Sequence, residues 1–317
     1  MDCVDTAAAL PNAAFLFAGQ GSQKSGMGHE LYVASKAARD VFDAVEGVRP
    51  GTREQCFSGT KEELSLTRNT QPCVFAVDFA CACALRERGV VPAAVAGHSL
   101  GEVAALAFAG AFDVAAATRL VSERASLMTA CCEEHPGAMR AVLKLDVATV
   151  EDLAAKAGEA WPVNYNSPLQ TVVAGSPEAC EKLDALVREA HGRSMAVAVS
   201  GAFHSPYMAA ATDGLAAYLE ANPPQVPAMT CWANLTGAPY GGTPAEIAEA
   251  LSAQVSHPVR WVDELLGLKA AGIDTFVEVG PGHTLTGLVK RTLEGATVYN
   301  VETPDQLEAV VQSLEKE

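Results

Sequence analysis

Val90-Val-Pro-Ala-Ala-Val-Ala-Gly97-His98-Ser99-Leu100-Gly101-Glu102-Val-Ala-Ala-Leu-Ala-Phe108 is the stretch that decides the fold. A short apolar run, broken only by Pro92, gives way to good helix formers, so the pattern reads strand, sharp turn, helix. Glycines two residues either side of Ser99 suit a nucleophile elbow. In such an elbow the strained turn leaves no room for a Cβ at those positions, and the serine hydroxyl stands above the sheet. The helix that follows brings a backbone N–H and the positive end of its dipole to a developing oxyanion. Glycine, serine and alanine are common residues and the same five letters also occur in ordinary turns; the strand-turn-helix context carries the reading.

Outward from the elbow, strands and helices alternate, which implies a parallel sheet covered on both faces. Ala14-Phe-Leu-Phe-Ala18 reads as a buried strand running into Gly19-Gln20-Gly21-Ser22-Gln23. Lys24 stands where a dinucleotide fingerprint needs its third glycine, so nucleotide binding is discounted. A long helix is expected from Pro72, after Asn69-Thr70 as caps, to Arg88 with Gly89 as its stop. Between Gly137 and His204 the rhythm changes to strand Ala138 to Leu145, helix Val147 to Ala157, strands Pro162 to Asn166 and Thr171 to Ala174, helix Pro177 to Ala190 and strand Ser194 to Val199. This βαββαβ order is ferredoxin-like. A helix from Pro206, a strand near Met229 to Asn234, helices from Pro244 and Trp261, and the buried strand Thr275 to Val279 before Gly280-Pro281-Gly282 complete the pattern.

Composition narrows the classes. A chain of 317 residues, 49% hydrophobic and 19% charged, is globular and long enough for one large domain or for a large and a small one. Its net charge of −16 argues against nucleic acid and anionic membranes as partners. No stretch approaches a membrane span, and the N-terminus lacks a signal peptide's basic start. The nine cysteines contain no Cys-x-x-Cys pair; Cys81, Cys83, Cys131 and Cys132 fall in helix-like runs that suit buried thiols better than a metal. No metal is expected, and the cysteine usage fits a reducing cytoplasm.

A serine needs a base within hydrogen-bond reach, and seven histidines compete. His98 adjoins Ser99, but neighbours in an elbow point away from the hydroxyl. His29 is expected in a loop, His135 and His191 at helix ends or turns, and His257 in a turn before Pro258. His204 lies where the inserted segment rejoins the main chain, a favoured place for a cleft, yet a lone histidine is as often structural. Arg124 falls on the apolar face formed by Val114, Ala117, Leu120, Val121, Leu127 and Met128. A guanidinium there needs either an internal carboxylate partner or a ligand carboxylate held bidentately.

The motifs Phe17-Ala-Gly-Gln-Gly-Ser-Gln23, Gly97-His-Ser-Leu-Gly-Glu102, Arg124, Gly137-Ala-Met139, Asn164-Tyr-Asn-Ser-Pro168, Phe203-His-Ser205 and Glu278-Val-Gly-Pro-Gly282 occur in the order found in malonyl-CoA:acyl carrier protein transacylases, which the chain resembles over nearly its whole length. It also resembles polyketide synthase acyltransferase domains. The stand-alone fatty-acid enzyme is the closer match, because the chain has its own start, a family-typical length and no linkers.

The resemblance implies an α/β-hydrolase-like catalytic subdomain, residues 1–136 and 205–317, with an inserted ferredoxin-like subdomain, residues 137–204. It implies Ser99 as the acylated nucleophile, His204 as base oriented by backbone carbonyls, and Gln20 and Leu100 N–H groups as the oxyanion hole. Arg124 would bind the malonyl carboxylate, and Asn164, Asn166 and Asn234 would shape the cleft or simply cap turns. Phe203 would favour malonyl over methylmalonyl, since its ring fills the space of an α-methyl group, a discrimination of about 1 to 3 kcal/mol. The implied partners are malonyl-CoA and acyl carrier protein, with no cofactor, a monomeric state and a cytoplasmic location. Ala18 departs from the usual proline, and Arg260 from the usual glutamine, where it either serves CoA phosphate or the carrier or is solvated. Lys290, Arg291, Arg260 and Lys269 are candidates for the basic patch that an acidic carrier needs. A serine thioesterase and a noncatalytic scaffold are the rival readings.

Overall fold

The computed structural model describes residues 9–199 and 201–314; Cys3 and Ser200 lie outside the described residues. Six strands form the larger sheet: β1 (Ala9–Phe17), β2 (Val91–Gly97), β7 (Thr230–Ala233), β8 (Ala238–Pro239), β9 (Thr275–Val279) and β10 (Thr297–Val301), in the order β10-β9-β1-β2-β7-β8. All neighbours are parallel except β7 and β8, which are antiparallel at one edge. The molecule is therefore a mixed α/β protein with a mostly parallel sheet.

β1 shows why the sheet is covered on both sides. Phe15 and Phe17 enter one core with Phe75, Leu100, Val103 and Phe108, whereas Ala14 and Leu16 enter the other with Trp261, Leu265 and Phe276. Alternate residues of a strand point to opposite faces, so a strand buried on both reads as one continuous apolar run. Each such large side chain contributes about 1.5 to 3 kcal/mol when fully buried.

The smaller sheet, β3 (Ala138–Leu143), β4 (Ala160–Ser167), β5 (Gln170–Gly175) and β6 (Arg193–Ala196), has the order β4-β5-β3-β6 and is wholly antiparallel. Helices Val147–Ala157 and Pro177–Glu189 cover one face, joining Val142 and Val173 to Val150, Leu153, Leu183 and Val187. The other face turns Met139, Ala141 and Val172 toward a cavity between the two sheets. Val163 and Tyr165 of β4 bond to Val259 of the larger unit, Val259 N–H to Val163 O at 2.8 Å and Tyr165 N–H to Val259 O at 3.0 Å.

Four expectations are corrected. The long helix spans Thr67–Glu87, so Pro72 lies inside it rather than in its first turn. Proline removes the N–H that would bond to the Arg68 carbonyl, and Arg49 Nη2 reaches that oxygen instead, at 3.4 Å. His29 opens the helix His29–Ala34 rather than sitting in a loop. The helix after His204 begins as a 3-10 turn, Pro206–Met208, before Ala209–Ala221. β8 and β10 were not anticipated; β10 is a half-buried edge strand, and it lacks a continuous apolar run.

Phe17 pairs with both Gly97 and Val279, so the loops beginning at Ala18, His98 and Gly280 leave the same carboxyl edge of the sheet, where ligands bind in open α/β folds. The approach there is close. A Cβ on Gly101 would lie 2.2 Å from Phe17 O, and one on Gly97 2.0 Å from Gly101 C. Gly101→Ala is therefore expected to lower stability by about 1 to 3 kcal/mol or more. Urea unfolding measures this, and a wild-type midpoint would contradict the packing.

Candidate active site

Ser99 sits in the turn just beyond β2 with φ of 54°, a left-handed backbone that costs about 1 to 3 kcal/mol for a residue with a side chain. Three side-chain bonds hold it there. Ser99 N–H donates to Asn234 Oδ1 at 2.7 Å, Asn234 Nδ2 donates to Gly97 O at 2.7 Å, and Gln254 Nε2 donates to Ser99 O at 2.8 Å. Asn234 is fixed in turn by two buried carboxylates: its N–H donates to Glu102 Oε1 at 2.9 Å and its Nδ2 to Glu264 Oε1 at 2.8 Å. Glu102 also accepts from Tyr240 OH at 2.7 Å and from Gln254 Nε2 at 2.5 Å. Burial pushes the Glu102 carboxyl up to about 7 and that of Glu264 well above the carboxylate range.

Of the seven histidines, His204 is the one that meets the serine, with Nε2 at 2.7 Å from Ser99 Oγ. Its Nδ1 lies 2.8 Å from Gln254 O. A carbonyl only accepts, so Nδ1 carries the proton and Nε2 presents its lone pair to the hydroxyl. A backbone carbonyl thus does the orienting that an aspartate does in a Ser-His-Asp site. Burial first, and then the Arg124 cation, pull His204 down to about 3, so the ring is neutral across the physiological range.

Arg124, in the middle of helix Val114–Glu134, is 1% exposed. Its Nη1 donates to Gln71 Oε1 at 2.8 Å, and its Nη2 donates to Gln254 Oε1 at 2.8 Å and to Ser99 Oγ at 3.1 Å. Nε has no partner. Of the two readings open in the sequence, an internal carboxylate bonded to the guanidinium is not found among the described residues. Burial lowers Arg124 to about 10, and Glu102 only partly offsets that, which leaves it cationic at neutral pH.

The cavity above Ser99 holds about 270 Å³ and is lined by Gln20, Asn164, Asn166, Phe203, His204 and the small-sheet residues already named, among others. His98 also lines it and is bonded through Nε2 to Asn166 Oδ1 at 2.8 Å. The Gln20 and Leu100 backbone N–H groups have no acceptor among the described residues. Asn234, Arg124 and Leu100 are buried and do not themselves line the cavity; Asn234 stands behind Ser99, bonded to Ser99 N–H and Gly97 O. Arg260 is an exposed residue paired with Asp263 at 2.7 Å. Arg291 donates to Gln170 Oε1 at 2.9 Å, and Gln170 lines the cavity.

Gln71, Gln254, Glu102, Glu264 and Tyr240 were missed. Glu102 carried a signal, a carboxylate at the head of the apolar run Val103 to Phe108. The two glutamines carried none, because their value comes from being brought to Arg124 from chain positions far apart.

A serine hydroxyl thus stands between a neutral histidine and a buried cation at the carboxyl edge of a mostly parallel sheet. Residues 14–316 match the family model described as "Acyl transferase domain". A malonyl CoA-acyl carrier protein transacylase of Bacillus subtilis is 36% identical over 97% of this chain and 99% of its own length. Among solved structures, the malonyl CoA-acyl carrier protein transacylase of Clostridium perfringens superposes with a TM-score of 0.92 at 32% identity, covering 96% of this chain and 97% of that one. A malonyl-transacylase solved in complex with its type II polyketide synthase acyl-carrier protein gives 0.91 at 32% identity over 95% and 99%. The chain belongs to the malonyl CoA-acyl carrier protein transacylase family of acyltransferases.

With His204 held near 3, the rate at which a sulfonyl fluoride modifies Ser99 is expected to stay flat as pH falls through 6.5, the ordinary histidine value, and to decline only toward the lower one. Arg124→Ala removes a cation that depresses the ring, so the decline should move to higher pH. A wild-type inflection near 6.5 would contradict the electrostatics.

Proposed function

We propose that this acyltransferase moves malonyl from malonyl-CoA to the phosphopantetheine thiol of an acyl carrier protein through malonyl-Ser99. The observation that carries the proposal is the pairing of Ser99 Oγ with His204 Nε2 on one side and Arg124 Nη2 on the other. Ser99 Oγ attacks the thioester carbonyl while His204 Nε2 takes its proton. The tetrahedral oxyanion rests on the N–H groups of Gln20 and Leu100. Collapse breaks the C–S bond, and the proton on His204 passes to the departing CoA sulfur. The carrier's thiol then gives its proton to His204, attacks the malonyl ester, and Ser99 leaves with that proton. Losing either oxyanion donor is expected to cost about 100- to 1000-fold.

Arg124 supplies the charge for the malonyl carboxylate, which favours a transferase of carboxylated acyl groups over a simple thioesterase. Phe203, 5% exposed and on the cavity wall, supports malonyl over a branched homologue. Asn164 and Asn166 shape the wall, and Asn234 acts through the elbow. In this reading residues 1–136 and 205–317 form the α/β-hydrolase-like catalytic subdomain and residues 137–204 the ferredoxin-like one, a division supported by the two separate sheets. The chemistry needs no metal or redox cofactor. The enzyme works as a cytoplasmic monomer that supplies fatty acid synthesis; the thiols of Cys56, Cys73, Cys81, Cys83, Cys180 and Cys231, buried and outside any disulfide, favour a reducing compartment. Supply of a polyketide carrier is the second reading, favoured by the likeness to the type II polyketide transacylase.

Intact-protein mass spectrometry with malonyl-CoA tests the proposal. A malonyl adduct is expected on wild type but not on Ser99→Ala, and it should move to the carrier's thiol when holo carrier is added. An adduct lost to water at one rate with or without carrier would instead identify a thioesterase. Because Arg291 reaches the cavity rim through Gln170, reversing the charge of Lys290 and Arg291 is expected to raise KM for carrier about tenfold, by the loss of steering, and to leave adduct formation unchanged. Equal effects on both half-reactions would reject that surface.

A further inference from the structure

Asp78 is a carboxylate in the apolar middle of helix Thr67–Glu87. It is 0% exposed, and neither of its oxygens has a hydrogen-bond partner among the described residues. An isolated carboxylate in such a place costs several kcal/mol and persists only if it is protonated or serves its surroundings. Its surroundings are the two loops that leave the sheet at the active site. A Cβ on Gly280, whose φ is 121°, would lie 1.9 Å from Asp78 Oδ1 and 3.1 Å from Ala18 Cβ. The carboxyl is thus wedged where β9 ends, against the residue that opens the Gly19-Gln20 loop. The Ala18 N–H lies close enough to favour the Asp78 anion without the alignment of a hydrogen bond. Its own ladder bond to Val279 O is long, 3.4 Å. The groups whose charge bears on this carboxyl are Glu278 and, from the same helix, Cys81; neither is a cation. Burial and Glu278 hold Asp78 well above the carboxylate range, which suits a neutral acid.

We propose that Asp78 is a positioning residue for the oxyanion loop: its buried carboxyl, wedged between Ala18 and Gly280, sets the path of the backbone that presents the Gln20 N–H. The inference rests on Gln20 as an oxyanion donor. Asp78 does not line the cavity, so it acts through the loop alone. Displacing a reacting geometry by about 1 Å costs on the order of 100-fold, and a partial loss falls below that. Asp78→Ala is expected to slow the acylation of Ser99 by malonyl-CoA by about 10- to 100-fold, with KM for malonyl-CoA unchanged. Amide hydrogen exchange should quicken in residues 18–24 and not in the rest of the sheet. Asp78→Asn, which keeps the shape and stays uncharged, should restore both rate and protection. Loop exchange unchanged in Asp78→Ala, a KM that rises with no change in rate, or failure of Asp78→Asn to rescue would overturn the proposal. If the loop loosens and acylation stays at wild-type rate, the brace stands and the role of Gln20 as donor falls.

Discussion

Burying a guanidinium costs several kcal/mol unless its charge is answered, and the oxygens that Arg124 reaches, on Gln71, Gln254 and Ser99, are all neutral. Amide oxygens relieve the desolvation only in part, so the site keeps a net appetite for an anion. Much of the surrounding structure follows from holding that cation in place. Gln254 illustrates the economy of the arrangement: its side-chain oxygen accepts from Arg124, its Nε2 donates to Ser99 O and Glu102, and its backbone carbonyl orients His204. One residue therefore couples the cation, the elbow and the base.

The same cation governs proton chemistry. Arg124 and burial together keep His204 neutral and weakly basic in the resting site. In the proposed reaction an incoming carboxylate answers the charge on Arg124, which raises the basicity of His204 when there is a substrate to use it. Electrostatic coupling of this kind favours carboxylated acyl groups twice, through binding and through activation of Ser99. Beneath the elbow, the carboxyls of Glu102 and Glu264 stand against Asn234, fully buried. Their raised proton affinities allow the cluster to exist with little net charge.

The elbow was legible because glycine at 97 is required by backbone only four residues on, and glycine at 101 repeats the signal although its close neighbour is Phe17 O of β1; the βαββαβ segment was legible because its apolar periods switch cleanly. Thr275 to Val279 and Val147 to Ala157 match the observed elements residue for residue. The start of helix Thr67–Glu87 was not legible: Pro72 looked like a first-turn residue, and the arginine that relieves the interior proline lies far back in the chain. His204 stood out by its place where the inserted segment rejoins the main chain, but the sequence left it as readily structural, since its partner carbonyl comes from residue 254. Arg124 stood out as a charge in an apolar stripe, but nothing local could tell a ligand from a structural partner. Its neighbours arrive from the segments around residues 71, 99 and 254. The polar network is a property of the folded topology, and short-range pattern does not encode it.

The purpose of the buried cation decides which acyl groups Ser99 accepts. The direct test compares Ser99 acylation by malonyl-CoA and by acetyl-CoA in wild type and in Arg124→Ala, each followed by intact mass. A carboxylate site predicts that the malonyl-to-acetyl ratio collapses by about 100-fold, the worth of a charge-assisted bidentate contact of roughly 3 kcal/mol, with acetyl transfer largely retained. If both acyl groups are lost together and the ratio is unchanged, Arg124 serves only the architecture of Ser99 and the selectivity for a carboxylated acyl group lies elsewhere.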